Sequence, residues 1–371
     1  MIRAGFQGQF SGLTVDHGRS LGMVFIVRGM GLRGFGRVTG CLVLLVCGGC
    51  GQERKLESFG GPAMGSHYSV VYVRASGQPE PAVVRPEVEA ILAEVDQQMS
   101  LWRSDSDIEL FNALPANSCR TMPEAVLKLI DVGEQLSRES NGAFDLTVKP
   151  LMDLWGLGAH ALFEQMPLVR QLSRARAMVS YRSLSIVGQQ LCKSAAVQVD
   201  LNSIAAGYAV DRISERMEAL GLHDYLVHAT GELKVNGLKP DGSPWRVTLD
   251  APRDDGNVAQ KVFPLNGYAL STSGDYRRYL DGEGGRRRIS DTLDAVTGQP
   301  VHHGLASVTV IHPSALMADG LSSLLLILGP QRGWNYAQEH KIPAFFVIRA
   351  DKRFIIRSNA SFDRLAVEQP R

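Results

Sequence analysis

The sequence lacks the marks of several common protein classes. Aromatic residues make up only 7% of the 371 positions, and no basic run is interleaved with them. With a net charge of +1, nothing points to a nucleic-acid surface, and nucleic acid is not an expected partner. Arg286–Arg288 is a short basic cluster that reads as a solvated loop face or a local anion contact. No CxxC, HExxH or His-rich cluster occurs, so a zinc site has no support. Cysteine is scarce, with five in all. The apolar run near Cys41–Cys47 is about ten residues long, whereas a bilayer-spanning helix needs about twenty. No internal repeat appears. What is present, 44% hydrophobic and 21% charged residues, is the composition of a globular protein with core enough for one large domain or two ordinary ones.

The first fifty residues differ in kind. Residues 1–40 are rich in Gly and Arg, and CLVLLVCGGCGQ follows from Cys41 to Gln52. Arg33 and Arg37 ahead of the apolar run make residues 1–50 a signal segment for export, and Met23 or Met30 gives a more usual signal length than Met1. Gly48 and Gly49 before Cys50 resemble a bacterial lipobox, in which Cys50 becomes the lipidated first residue of the mature protein. Cys47 departs from that pattern, which leaves processing at Cys47 or plain cleavage open. The expected location is the periplasmic side of a bacterial membrane, with a lipid anchor at Cys50. Residues 51–62 read as a polar tether, 63–360 as the folded domain and 361–371 as a tail. Cys119 and Cys192 remain in the folded part, and an exported compartment permits a disulfide between them without implying one.

Periodicity supplies the coarse fold. The turn-like Ala63–Ser66 introduces a strand at Tyr68–Val73, and Glu87–Met99 has helical spacing. Ser104 or Ser106 can cap a short helix through Phe111, with Trp102 on the loop before it. Pro123–Ser140 is an amphipathic helix closed by Asn141-Gly142, and Met166–Tyr181 is helical. Strands are expected at Leu184–Val187, Val197–Val199, Asp224–Val227, Trp245–Asp250, Lys261–Pro264, Tyr268–Ser271, Ala306–Ile311 and Ala344–Ile348, with Gly231 as the turn glycine of HATGELKVNG. Leu316–Leu328 is a helix. The fold class is α/β (α+β), with strand and helix patterns interspersed along the chain.

Two stretches carry chemistry. In VDLNSIAAGYAVDRI (Val199–Ile213) an apolar strand ends at Asp200, a turn follows at Asn202-Ser203, and a helix starts near Ala205. Free N–H groups and the positive end of a helix beside an acid make a place for a phosphate or a polar heterocycle. On the late helix, Asp319 and Ser323 stand at i and i+4 and share a face. One carboxylate and one hydroxyl, completed by a turn carbonyl, form an oxygen-only set that suits Mg²⁺.

The blocks AMGSHYSV (63–70), MSLWRSDSDIELFN (99–112), GAFDLTVKPLMDLWGLG (142–158), VDLNSIAAGYAVDRI (199–213), STSGDYRRY (271–279), TLDAVTGQPV (292–301) and SVTVIHPSALMADGLSSLLLILG (307–329) stand in order. Together they resemble the ApbE-like flavin transferase family, which attaches FMN from FAD to proteins. The resemblance spans about Pro62–Ser358 and implies an ApbE-like (T-fold-like) architecture: mixed β-sheets flanked by helices, in two subdomains around a flavin and Mg²⁺ cleft. It implies flavin contacts at Met64, Trp102, Ala143, Phe144, Asp145, Asp200, Ala206 and Leu293. It implies metal ligation by the Ser203 carbonyl, Asp319 and Ser323, the last in place of a usual Thr or Asp. Three departures stand out. Ala206 occupies the place of a Lys that contacts FAD in many members, and Thr230 replaces the first Gly of a Gly-Gly pair. Asp291 stands where a His, a candidate base, often opens an H-x-x-D segment; a placed, desolvated carboxylate can serve the same role.

The implied reaction is Mg²⁺-dependent transfer of FMN from FAD to a Thr or Ser of an acceptor protein, with release of AMP. The implied acceptors belong to membrane redox complexes of the quinone reductase, electron-transport or nitrous-oxide-reduction type. Two other readings remain: a lipoprotein that binds FAD without chemistry, and a hydrolase that gives FMN and AMP.

Overall fold

The computed structural model describes residues 54–159, 166–251, 258–274, 279–281, 288–350 and 353–366. The signal and lipobox cysteines, Arg286 and Arg287, and the Asp275–Arg278 end of the STSGDYRRY block lie outside the described residues.

The described chain opens as a hairpin of β1 (Lys55–Ala63) and β2 (Ser66–Arg74). Its turn residues Met64 and Gly65 have φ of 48° and 73°. Two left-handed residues in succession give the turn whose twist matches the flanking strands. The expected tether at 51–62 is therefore corrected: from Lys55 it is an edge strand, with Lys55 opposite Arg74 and Ala63 opposite Ser66. Its apolar alternation is weak, and glycine does the work that pattern does elsewhere. A Cβ on Gly60 would stand 2.6 Å from the Tyr68 carbonyl oxygen.

A helical stretch and a small sheet follow. Helix α1 (Pro81–Met99) buries Val84, Val88, Leu92, Val95 and Met99. Helix α2 (Asp107–Asn112) is capped by Ser106, whose hydroxyl accepts from the Glu109 N–H at 3.2 Å. Next come β3 (Ser118–Thr121), α3 (Glu124–Glu139), α4 (Lys149–Leu154), α5 (Val169–Arg176), β4 (Leu184–Val187) and β5 (Gln190–Lys193). The helix expected at Met166–Tyr181 is thus shorter, and Tyr181–Ser183 is a turn of 3₁₀ helix. Strands β3, β5 and β4 pair in that order, and Cys119 and Cys192, directly opposite each other, form a disulfide.

The main sheet is built mostly from the second half of the chain. Helix α6 (Ala205–Ala219) leads to β6 (Tyr225–Ala229), β7 (Glu232–Asn236), β8 (Trp245–Ala251), β9 (Val258–Leu265) and β10 (Tyr268–Gly274). The short β11 (Tyr279–Asp281), β12 (Arg288–Ser290), β13 (Leu293–Asp294) and β14 (Gln299–Pro300) precede β15 (Leu305–His312). Helix α7 (Ala315–Glu339), β16 (Ala344–Ala350), β17 (Arg353–Ser358) and α8 (Ala360–Leu365) complete it. Eight strands run β1-β2-β6-β7-β10-β15-β16-β17, every pair antiparallel. Alternation sends Tyr225, Val227 and Ala229 toward α1, α6 and α7, and Leu226, Leu233 and Val235 toward the β8–β9 hairpin. Each large apolar side chain buried this way contributes about 1.5–3 kcal/mol. The expected C-terminal tail is also corrected at its start, because α8 seats Phe362 in the second core with no exposed surface.

One expected strand is absent. Val197–Val199 is extended but joins no sheet, and its single ladder contact is a parallel bridge between Gln198 and Val148. Its hydrogen bonds go to a side chain instead. The Val199 N–H donates to Asn112 Oδ1 at 2.7 Å, and Asn112 Nδ2 donates to the Val199 carbonyl at 2.9 Å. The amide imitates a neighbouring strand, so the backbone is satisfied without one.

Candidate active site

Two groups of the expected residues come together at one end of the main sheet. The first gathers around Asp200. Its N–H donates to the Leu146 carbonyl at 2.7 Å, which lays the 143–148 segment against it. The Ala295 N–H donates to the Ala143 carbonyl at 3.1 Å, bringing in the β13–β14 hairpin that carries buried Leu293. Phe144 is buried beside them, its N–H donating to Ser140 Oγ at 3.1 Å.

The two acids of this group differ in provision. Asp145 Oδ1 accepts from the Thr147 N–H and hydroxyl, both at 2.8 Å, and Oδ2 from the Tyr181 N–H at 2.8 Å. Burial raises its pKa, and those three donors only partly oppose the rise. Asp200 accepts from the Asn202 N–H at 2.8 Å, and burial pushes its carboxyl up to about 6. A cavity of about 570 Å³ opens beside this group, lined by Asn141, Gly142, Asp145, Arg176, Tyr181 and Val296 among others.

The second group forms where α6 meets α7. Asp319, 5% exposed, accepts from the Gly207 N–H through Oδ2 at 2.9 Å. Only glycine allows this approach: a Cβ on Gly207 would lie 2.3 Å from the Ala315 carbonyl oxygen and 2.7 Å from Asp319 Cβ. Ser203 stands two residues ahead of α6 and Ala206 is buried in its first turn. Gly320 is seated against Ile204 of the same turn, where its own Cβ would lie 3.2 Å from Ile204 Cγ2. The Asp319 carboxylate and the Ser203 turn therefore share one helix end, where N–H groups favour negative charge.

Hydroxyls fill the side of this corner formed by β10. Ser273 Oγ lies 3.3 Å from Ser323 Oγ and 2.8 Å from Ser322 Oγ. Ser322 Oγ lies 3.0 Å from Ser271 Oγ and donates to the Asp319 carbonyl at 3.0 Å. Burial and then the negative charge of Glu232 raise the Asp319 carboxyl well above the usual carboxylate range, against the Gly207 N–H. Its Oδ1 has no protein donor among the described residues. Such a carboxylate is stabilised by a cation, and the carboxylate, hydroxyl and carbonyl oxygens fit a hard divalent ion. No group of three or more His, Cys, Asp or Glu suited to a metal occurs among the described residues, so a backbone carbonyl and hydroxyls must complete any such shell.

The remaining expected residues are placed by the elements that carry them. Met64 occupies the β1–β2 turn, which adjoins the β6–β7 turn through the Thr230 N–H to His67 carbonyl bond of 3.0 Å. Trp102 is 66% exposed on the loop before α2. Asp291 is partly buried just ahead of β13. Gly231 lies in the turn between β6 and β7 as expected, and the left-handed residue there is its neighbour Thr230, φ 61°. Pattern reading noted Ser273 among the small residues ending a strand but gave no role to Glu232, Ser271, Ser322 and Gly207. The signal available was small residues at a strand end facing a helix of small residues.

The fold has counterparts among solved flavin transferases. The structure of the Pseudomonas stutzeri flavinyl transferase ApbE in its apo form aligns with a TM-score of 0.79 and 52% identity, covering 84% of this chain and 97% of that one. The Vibrio cholerae flavin transferase ApbE aligns with a TM-score of 0.78 and 31% identity, covering 84% and 100%. A FAD:protein FMN transferase of Haemophilus influenzae is 33% identical over 324 residues, 85% of this chain and 93% of its own length. A model described as the ApbE family matches residues 64–346. This chain belongs to the ApbE family.

Proposed function

We infer that this chain is an FAD:protein FMN transferase. A hydroxyl of an acceptor protein attacks the FMN phosphorus of FAD. A new P–O ester bond forms, the anhydride P–O bond breaks, and AMP leaves with the bridging oxygen. The observation that carries this reading is Asp319: a nearly buried carboxylate with one N–H donor, set at a helix N-terminus among hydroxyls. Its support is the family membership and the names of relatives that match over almost their full length.

The residues divide the task. Asp319, Ser323 and the Ser203 carbonyl hold Mg²⁺, which when bound neutralises charge on the pyrophosphate. Asp200, Leu293 and the Ala143–Asp145 segment hold the flavin nucleotide, with Met64 and Trp102 bordering it. Asp291 takes the proton of the acceptor hydroxyl. Ala206 brings no positive charge, and the Ala205, Gly207 and Tyr208 N–H groups are already bonded to Leu201, Asp319 and Ile204, so charge on the phosphates would have to be met by the ion that Asp319 holds.

The acceptor we propose is an exposed domain of a membrane redox complex. The enzyme would meet it on the periplasmic side, anchored through Cys50. The Cys119–Cys192 disulfide supports an oxidising compartment. The test is direct: purified protein, FAD, Mg²⁺ and a co-expressed acceptor should give a flavin-fluorescent acceptor band in a denaturing gel. A dark acceptor with normal FAD binding would overturn the transferase reading. Ala206 and Asp291 motivate a second reading, a lipoprotein that binds FAD without chemistry, and Mg²⁺-dependent AMP release without acceptor would replace it with a hydrolase.

A further inference from the structure

The turn between β6 and β7 contains a conformation that its sequence does not favour. Thr230 is β-branched and left-handed, with φ 61°. Such a placement costs on the order of 1–3 kcal/mol and persists only where the surroundings impose it. Here the Thr230 hydroxyl donates to Glu232 Oε2 at 2.7 Å, and the Ser271 hydroxyl donates to Glu232 Oε1 at 3.3 Å. Both oxygens of Glu232 are thereby oriented, although the residue is only 8% exposed.

Glu232 is continuous with the cation corner. In the antiparallel register Glu232 lies opposite Ala229, on the sheet face that carries α6 and α7. Ser271 joins it to Ser322, and Ser322 reaches the backbone of α7 at Asp319. Four hydroxyl protons, those of Ser271, Ser273, Ser322 and Ser323, serve five contacts. Because Ser322 is committed to the Asp319 carbonyl, Ser273 donates to Ser322 and Ser323 donates to Ser273, and with Ser271 donating to Glu232 its 3.0 Å approach to Ser322 is a packing contact. That order turns the lone pairs of Ser323 Oγ outward, as a hydroxyl ligand to a cation requires.

We propose that Glu232 is a positioning residue of this corner. Held by Thr230 and Ser271, it supplies a second buried negative charge beside Asp319, and so raises affinity for a divalent cation. The proposal rests on the reading of Asp319 as a metal ligand. It assigns a task to the strained Thr230: the hydroxyl that orients Glu232 is presented from that backbone conformation. A purely structural Glu232 would do no more than brace the β6–β7 turn.

The two roles predict opposite behaviour in the full chain without FAD, titrated with Mg²⁺ by calorimetry and followed by thermal melting. Glu232→Gln keeps the shape of the side chain and removes its charge. Its Mg²⁺ affinity should fall about tenfold or more, the range of losses when an outer partner of a metal ligand is removed. Without Mg²⁺ it should melt at or above the wild type, because a like charge beside Asp319 is gone. Affinity within twofold of wild type, or a lower metal-free melting temperature with affinity kept, would overturn the proposal. Thr230→Val keeps the branched shape and removes only the hydroxyl; it should weaken Mg²⁺ severalfold, and unchanged affinity in a folded Thr230→Val protein would also overturn it. Asp319→Asn separates the levels: if Mg²⁺ binding survives that change, the ligand assignment itself fails, and Glu232 with it.

Discussion

Asp211 and Asp319 are a natural pair to compare. Each is a carboxylate under 10% exposed, one on α6 and one on α7, at the contact between the same two helices. Asp211 Oδ1 accepts from the Lys234 ammonium and the Ala315 N–H, both at 2.9 Å. Its Oδ2 accepts from Ser314 Oγ at 2.6 Å and the Leu316 N–H at 3.0 Å. Burial alone would raise its pKa, but these donors outweigh it and hold the carboxyl below its ordinary value. Asp319 has one N–H and a neighbouring negative charge, and its pKa goes the other way. Equal burial with unequal provision separates an acid that holds the fold from an acid left with one N–H donor beside a like charge.

The largest test of this contrast is Asp211→Ala. Leaving Lys234 and the first N–H groups of α7 without their acceptor should cost about 3–5 kcal/mol of unfolding free energy, read by denaturant titration. A loss below about 1 kcal/mol would break the comparison at its structural end. Next is Asp319→Asn, for which FMN transfer should drop at least about a hundredfold while stability is kept or gained, read by acceptor fluorescence alongside thermal melting.

The two acids also predict opposite pH slopes in metal-free protein. A folded pKa below the unfolded value gives stability that is present above the unfolded pKa and lost as pH falls, which is the contribution of Asp211. A raised carboxyl contributes stability below the unfolded pKa that is lost as pH rises through the folded one, which is the case for Asp319 and Asp200. Asp200 gives the readable window, from about 4 unfolded to about 6 folded. Unfolding free energies of wild type and Asp200→Asn should diverge across that window by up to about 2–3 kcal/mol, the wild type losing stability as pH rises. Parallel profiles would remove Asp200 from the class of strained acids. The smallest structural effect is expected at Trp102, whose indole is 66% exposed. Trp102→Ala should leave stability within about 0.5 kcal/mol and raise the KM for FAD severalfold, as measured by AMP release in the transfer reaction.

Much of this was legible from local chemistry. The Ser106 cap, the Asn141-Gly142 helix end, the Met64-Gly65 turn and the shared face of Asp319 and Ser323 each follow from a few adjacent residues. The misreadings share a physical cause, a partner distant in sequence. Val197–Val199 has the composition of a strand, but Asn112 satisfies it from 87 residues away. Lys55–Ala63 reads as a tether because two glycines stand where side chains would have shown alternation. The cysteine pairing stayed open until β3 and β5 were found in register.

The Asn112 amide has a consequence for time as well as shape. No strand templates the segment that delivers Asp200, so that segment acquires its course only when α2 has docked. The Lys193 ammonium reinforces the join by donating to the carbonyls of Asn112 and Val197, both at 3.1 Å. Closing a loop of that length carries its entropy cost before any contact repays it. The flavin-side corner should therefore be among the last parts of the chain to become native, after the helices and hairpins that form from neighbouring residues. Refolding followed by FAD capture should lag behind refolding followed by secondary structure.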